Sequence, residues 1–171
     1  PESQFKTEKE LEQDFLEQIR KTHGMALVWT SGQNIDRLVT IFKATKRSGR
    51  QLIMDMYTAE ILRETGNLKL PQGTWDGVRV FLPDSQKRQI KKNGQYDRTN
   101  AYSSNRIYPE ELADAASRST MLFRPSMSRE LERAGCLKEA RLIYSLWRGY
   151  LKHKGQQRFL EWLKKHEKNY Q

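Results

Sequence analysis

The sequence predicts an α/β fold: a Rossmann-like, mainly parallel five-stranded sheet with helices on both faces. Two observations carry this. Five short apolar runs are separated by amphipathic helical patterns. Each run also ends in small, polar or charged residues that lead on into a helix. Strands that are apolar on both faces belong to sheets covered on both sides, and the intervening helices supply the cover. A length of 171 residues suits one such domain. Residues 1–171 are therefore read as a single domain, with an arm at 1–6 and a polar excursion at 83–108.

The elements follow in order. Thr7-Glu8-Lys9-Glu10 forms a capping box and starts a helix whose apolar face is Leu11, Phe15, Leu16 and Ile19, closed by His23-Gly24. Met25 to Trp29 is the first strand. Asn34 then caps a helix with Ile35, Leu38, Val39 and Phe42 inward, ended by Ser48-Gly49. Leu52-Ile53-Met54 is the second strand, followed by Asp55 and a helix from Tyr57 to Thr65. Gly66 to Gly77 is a loop, and Val78 to Leu82 is the third strand. The excursion holds a short basic helix over Lys87 to Lys92, and Pro109-Glu110-Glu111 opens another helix. Thr120 to Phe123 is the fourth strand, with a helix from Met127 to Ala134 after it. Leu142-Ile143-Tyr144 is the fifth. A final helix runs from Gln156 to Lys165, with Phe159, Leu160 and Leu163 inward.

Composition narrows the partner. Lys and Arg number 31 against 21 Asp and Glu, a net charge of +10. Dense basic groups lie at Lys43, Lys46, Arg47 and Arg50, at Lys87, Arg88, Lys91 and Lys92, and from Lys152 to Lys168. Such a balance favours a polyanion, first of all nucleic acid. No apolar run is long enough to span a bilayer, so no membrane partner is expected. The lone Cys136 permits no intrachain disulfide and fits a reducing, cytoplasmic setting. Beside Gly135 it reads as a small packing residue. The first residues are no signal peptide and lack Met, so the chain is expected to be a piece of something longer.

Ligands of parallel sheets sit outside the carboxyl ends of the strands. There the sequence places Thr30, Ser31, Gly32, Gln33, Asn34 and Arg37, then Asp55, Pro83 and Asp84, then Arg124, Pro125 and Ser126, and finally Ser145, Trp147, Arg148 and Gly149. Small donors let a backbone approach phosphate, and arginine forks pair with it. The candidate phosphate-binding set is Ser31, Gly32, Asn34, Arg37, Arg124, Ser126, Ser145 and Arg148. Each also has a structural role open to it. Asn34, Asp55 and Ser126 are placed to cap the helices that follow them. Arg37 is placed to pair with a carboxylate such as Asp36 or Asp55, and Trp147 to pack in the core.

No catalytic residue is expected. His23, His153 and His166 form no H-x-H or H-x-x-x-H pair that would hold a metal, and no nucleophile elbow or phosphate-binding P-loop occurs.

The strand ends, taken in order, resemble those of the β-CASP domain. That domain is the cap inserted into metallo-β-lactamase-fold enzymes that process nucleic acids. Thr30-Ser31-Gly32-Gln33-Asn34-Ile35-Asp36-Arg37 is similar to a family turn of the form T-x-S-S-N-I-x-R, matching at Thr30, Asn34, Ile35 and Arg37. Lys46 to Arg50 with Asp55 to Ala59 resembles the next strand and turn. Phe123 to Met127 resembles the fourth, and Ile143 to Tyr150 the fifth. The likeness covers nearly the whole chain.

The resemblance implies a Rossmann-like cap facing a metallo-β-lactamase catalytic domain in cis, with RNA or single-stranded nucleic acid between them. It implies no cofactor in this chain. Zinc is expected in the catalytic domain, held by H-x-H-x-D-H and related motifs that this chain lacks, together with an H-x-S-G-H segment expected just beyond its end. The isolated chain is accordingly expected to be inactive, with the turn after the fourth strand, at Ser126, helping to hold the substrate backbone. The alternative is a free-standing Rossmann-like module that binds a nucleotide or a protein without catalysis.

Overall fold

In the computed structural model, which describes residues 5–145 and 157–165, thirteen-residue α1 (Glu8–Arg20) begins the fold. The Thr7 hydroxyl accepts from Glu10 N at 3.2 Å, and the Glu10 carboxylate accepts from Thr7 N at 2.7 Å. The expected capping box is therefore formed. The strand β1 (Ala26–Trp29), helix α2 (Ile35–Arg47), strand β2 (Gln51–Asp55) and helix α3 (Met56–Glu64) follow. The chain continues through β3 (Val78–Phe81), α4 (Asp84–Asn93), β4 (Arg106–Ile107), α5 (Leu112–Ala115), β5 (Ser119–Leu122), α6 (Ser128–Ala134), β6 (Arg141–Tyr144) and α7 (Gln157–Lys165).

All strand pairs are parallel, in a six-stranded sheet of order β4-β3-β2-β5-β1-β6. The sixth strand is the departure from the five expected. It is β4, two residues inside the polar excursion, pairing Arg106 with Val80 and Ile107 with Phe81. It is too short to show a period of its own. Arg79 fixes it instead, donating from Nε to Asn105 O at 3.1 Å and from Nη2 to Arg106 O at 2.6 Å. Two helices also differ from expectation. The basic helix spans Asp84–Asn93, ended by Gly94 at φ +65°. The helix at Pro109 is broken into a 3₁₀ turn (Pro109–Glu111), the single turn α5 and a second 3₁₀ turn (Ala116–Arg118).

Successive strand residues face opposite sides. Ala26 and Val28 pack with Leu16, Ile19, Leu38, Ile41, Met56, Leu62 and Ile90, so α1 to α4 cover one face. Leu27 and Trp29 pack with Leu112, Leu131, Phe159 and Leu163, so α5 to α7 cover the other. The order explains the segregation. From β1 through β4 the chain steps one way across the sheet, and from β4 through β6 it steps back. Right-handed crossovers put the helices of the two directions on opposite faces. β5 lies between β1 and β2, whose following helices lie on the other face from its own. This order makes the carboxyl end of β5 the topological switch point, the place where sheets of this kind have their crevice. Among the described residues no helix is long and apolar enough to cross a membrane.

Candidate functional site

Arg124 leaves β5 in extended conformation (φ −135°, ψ 146°) and enters this crevice. Its Nη2 donates to Thr58 Oγ1 at 3.3 Å and lies 3.6 Å from Asp55 Oδ2. Its Cζ stands 5.3 Å from the centroid of the Tyr57 ring. The partners all come from the start of α3, so the arginine ties the β5 edge to the β2 edge. Gly32, after β1, borders it on the remaining side. A Cβ on Gly32 would lie 2.8 Å from Arg124 Nη2 and 3.4 Å from Thr58 Oγ1. Glycine stands here because a guanidinium occupies the space where a side chain would go.

Asp55 is buried, at 2% exposure, and a buried carboxylate requires donors. It has them. Oδ2 accepts from Thr58 N at 3.2 Å and from Gln86 Nε2 at 2.8 Å, and Oδ1 accepts from Thr58 Oγ1 at 2.7 Å. The expected cap of the next helix is thus made, and Arg124 adds a positive charge. Gln86 Oε1 accepts from Tyr57 N at 3.0 Å, which fastens α4 to the same cluster. Tyr57 itself stays 41% exposed.

A second arginine lies at the β1 and β6 end of the edge. Arg37 Nη1 donates to Ser145 Oγ, and Nη2 donates to Glu8 Oε1 at 3.3 Å. The expected partners Asp36 and Asp55 are not the ones it takes. Asp36 lies in the first turn of α2 with its carbonyl accepting from Thr40, and Asp55 serves α3. Arg37 instead reaches α1, which packs against α2. Glu8 Oε2 accepts from Thr40 Oγ1 at 2.6 Å. Burial pushes the Glu8 carboxyl upward, but the Thr40 hydroxyl and Arg37 outweigh it and hold the pKa below the usual value. Arg37 Nε and Thr30 Oγ1 are buried without a hydrogen-bond partner among the described residues. Buried donors left unmade are costly, and such groups mark places where a ligand or water completes the structure.

The other candidates fall as follows. Asn34 Oδ1 accepts from Arg37 N at 3.0 Å, so Asn34 caps α2. Ser31 is exposed, and its Oγ accepts from Gln33 N at 3.3 Å. Ser126 is exposed in a 3₁₀ turn (Pro125–Met127), and the capping role open to it is not taken. α6 starts after Met127 without a side-chain cap, because the 3₁₀ turn carries the chain into the helix; Ser128 Oγ donates back to Pro125 O at 2.6 Å. Ser126 opens onto a groove of about 820 Å³ between α6 and α7, bordered by Arg129, Arg158, Trp162 and Lys165. Trp147, Arg148, Gly149, His153 and His166 lie outside the described residues.

One basic residue is placed differently from its group. Arg50 lies at the amino edge of the sheet, far from any strand end that could bind a ligand. Its Nη1 donates to Gly24 O at 2.8 Å and Ser119 O at 2.9 Å, and its Nη2 to Thr22 O. It is a structural tie, and burial lowers its pKa. By contrast Lys87, Arg88, Lys91 and Lys92 on α4 are exposed.

Sequence reasoning missed Tyr57, Thr58 and Gln86 as members of the site. The spacing Asp55-x-x-Thr58 is the signature of an aspartate cap and was legible. Gln86 lies in the polar excursion, where nothing distinguishes one amide from its neighbours.

The arrangement can bind an anion. It offers two arginines held at fixed points of the carboxyl edge, each set beside one carboxylate, and the exposed Ser31 and Ser126 hydroxyls on the turns next to them. Among the described residues no group of three or more His, Cys, Asp or Glu is placed to hold a metal. The fold and site together define a parallel α/β domain with an arginine-lined crevice at its topological switch point. No protein-family model matches the chain, and no curated protein matches it either.

Proposed function

We propose that this chain is the β-CASP cap of a zinc-dependent, metallo-β-lactamase-fold hydrolase of RNA or DNA. In this reading the cap holds the nucleic-acid backbone at the carboxyl edge of its sheet. The catalytic domain that faces it in cis holds the metals. The observation that carries the reading is Arg124 at the switch point, reaching from the end of β5 to Thr58 and Asp55 at the end of β2, with Gly32 after β1 lying against it. A phosphate-binding arginine has to be fixed before the ligand arrives if ordering it is not to weaken binding. Arg37, braced by Ser145 and Glu8, supports the same reading from the other end of the edge. A net charge of +10 supplies long-range attraction to a polyanion. Phosphate contacts of this kind position a strand and carry no base information.

The experiment is a titration of the chain with single-stranded RNA at several salt concentrations. Binding that weakens linearly in a log–log plot, by about 0.7 in slope for each phosphate contacted, is expected. Affinity unchanged between low and moderate salt contradicts the proposal.

A further inference from the structure

Resting on that reading, we propose that Tyr57 is a stacking platform for one unpaired base, with Arg124 taking the adjoining phosphate. Three observations converge on it. Tyr57 is the first-turn residue of α3 at the carboxyl end of β2, and it is 41% exposed, whereas the neighbouring Met56, Thr58 and Ala59 are buried. It is one of only five large apolar or aromatic side chains exposed among the described residues, and Arg124 is seated against it. Its backbone N–H is held by Gln86 and its helix start by Asp55, so the ring projects from a braced turn.

An aromatic ring that keeps a guanidinium over its π-system is electrostatically prepared for a second π-face. A base stacked there lies next to an arginine whose side chain is 33% exposed. One nucleotide therefore meets both of its recognisable parts within one site. Gln86 links Tyr57 to α4, the helix that carries the exposed basic side chains Lys87, Arg88 and Lys91. A base inside a duplex has no free face, so the occupant is single-stranded. Stacking is tolerant of base identity, which agrees with a cap that does not read sequence.

The test uses a fluorescently labelled oligoadenylate and an abasic strand of the same length, titrated against the wild-type chain and Tyr57→Phe, Tyr57→Leu and Tyr57→Ala. The expected result is a loss of roughly tenfold or more in affinity for the oligoadenylate with Ala and Leu, the scale of one lost base–aromatic stack, and retention with Phe. Binding of the abasic strand and its salt dependence are expected to stay unchanged in all three variants. Equal loss on both strands overturns the inference, because Tyr57 would then act only by holding Arg124. No loss on either strand also overturns it while leaving backbone binding intact. Failure of the wild-type chain to bind even the abasic strand removes the proposed function and this inference together.

Discussion

Gly32→Ala separates the role of the crevice from the stability of the fold. The new Cβ would sit 2.8 Å from Arg124 Nη2. Carbon and nitrogen meet comfortably near 3.5 Å, so the guanidinium must retreat by about 0.7 Å. Its hydrogen bond to Thr58 at 3.3 Å and its approach to Asp55 at 3.6 Å have no slack for such a shift. The atom that moves is the end of a flexible side chain, so the backbone stays in place. The hydrogen bond contributes about 0.5–1.5 kcal/mol, and a partly exposed ion pair no more than about 1 kcal/mol. Gly32 is not among the glycines with positive φ, so alanine is conformationally allowed and regains about 0.4–1 kcal/mol through the unfolded chain. The net change in denaturation free energy is expected within about 1 kcal/mol of zero. Nucleic-acid affinity is expected to fall about tenfold, and the log–log salt slope to shrink by about 0.7, one phosphate contact. In an Arg124→Ala background the same Gly32→Ala change should have almost no further effect on binding, since the two act as a unit. Refutation would come from a destabilisation above about 2 kcal/mol, or from an equal loss of affinity in the Arg124→Ala background.

Further outcomes concern the frame that holds the site. Arg50→Met should destabilise the chain by about 2–4 kcal/mol in urea denaturation, because the carbonyls of Thr22, Gly24 and Ser119 lose their shared donor. A loss below about 0.5 kcal/mol would show that water replaces it. Gly24→Ala places a Cβ 2.2 Å from Lys138 O, a backbone atom that cannot swing away, and should cost about 3 kcal/mol or prevent folding. Its partner Glu139 has φ +55°, so Glu139→Gly should instead stabilise by up to about 1 kcal/mol. Glu130 has its pKa raised chiefly by burial, against the opposing hydrogen bond from Asp84 N. A raised folded-state pKa makes its contribution fullest below the ordinary carboxylate range and removes it as pH rises through the folded value. The stability of wild type relative to Glu130→Gln, measured by denaturation across pH, should therefore fall from acid to neutral pH; a rise would reverse the assignment.

Much of the fold was legible because each level of the sequence agreed with the next. The capping box at Thr7, the cap at Asn34 and the five apolar strands are local signals, and tertiary packing reinforced them. β4 was not legible. Two residues carry no periodicity, and what pairs Arg106 and Ile107 with β3 is Arg79, a contact across more than twenty residues. The site was legible as an edge but not as a network. Parallel topology alone told which residues gather at the carboxyl ends. It did not tell that β5 lies between β1 and β2, and only this order brings Arg124 against Gly32, Tyr57 and Asp55. Charge was the least reliable guide. Arg50 and Arg37 look alike in a count of basic residues, yet one ties backbone carbonyls at the amino edge and the other stands at the carboxyl edge, bonded to Ser145 and Glu8.

Amide chemical shifts recorded while the chain is titrated with single-stranded RNA show whether nucleic acid is held at the carboxyl edge of the sheet. The largest changes are expected on Ser31, Gly32, Tyr57, Arg124, Ser126 and Ser145, with the amino edge around Thr22, Arg50 and Ser119 unmoved. Changes centred on the amino edge or on the outer face of α1, with these six carboxyl-edge residues unaffected, would contradict it.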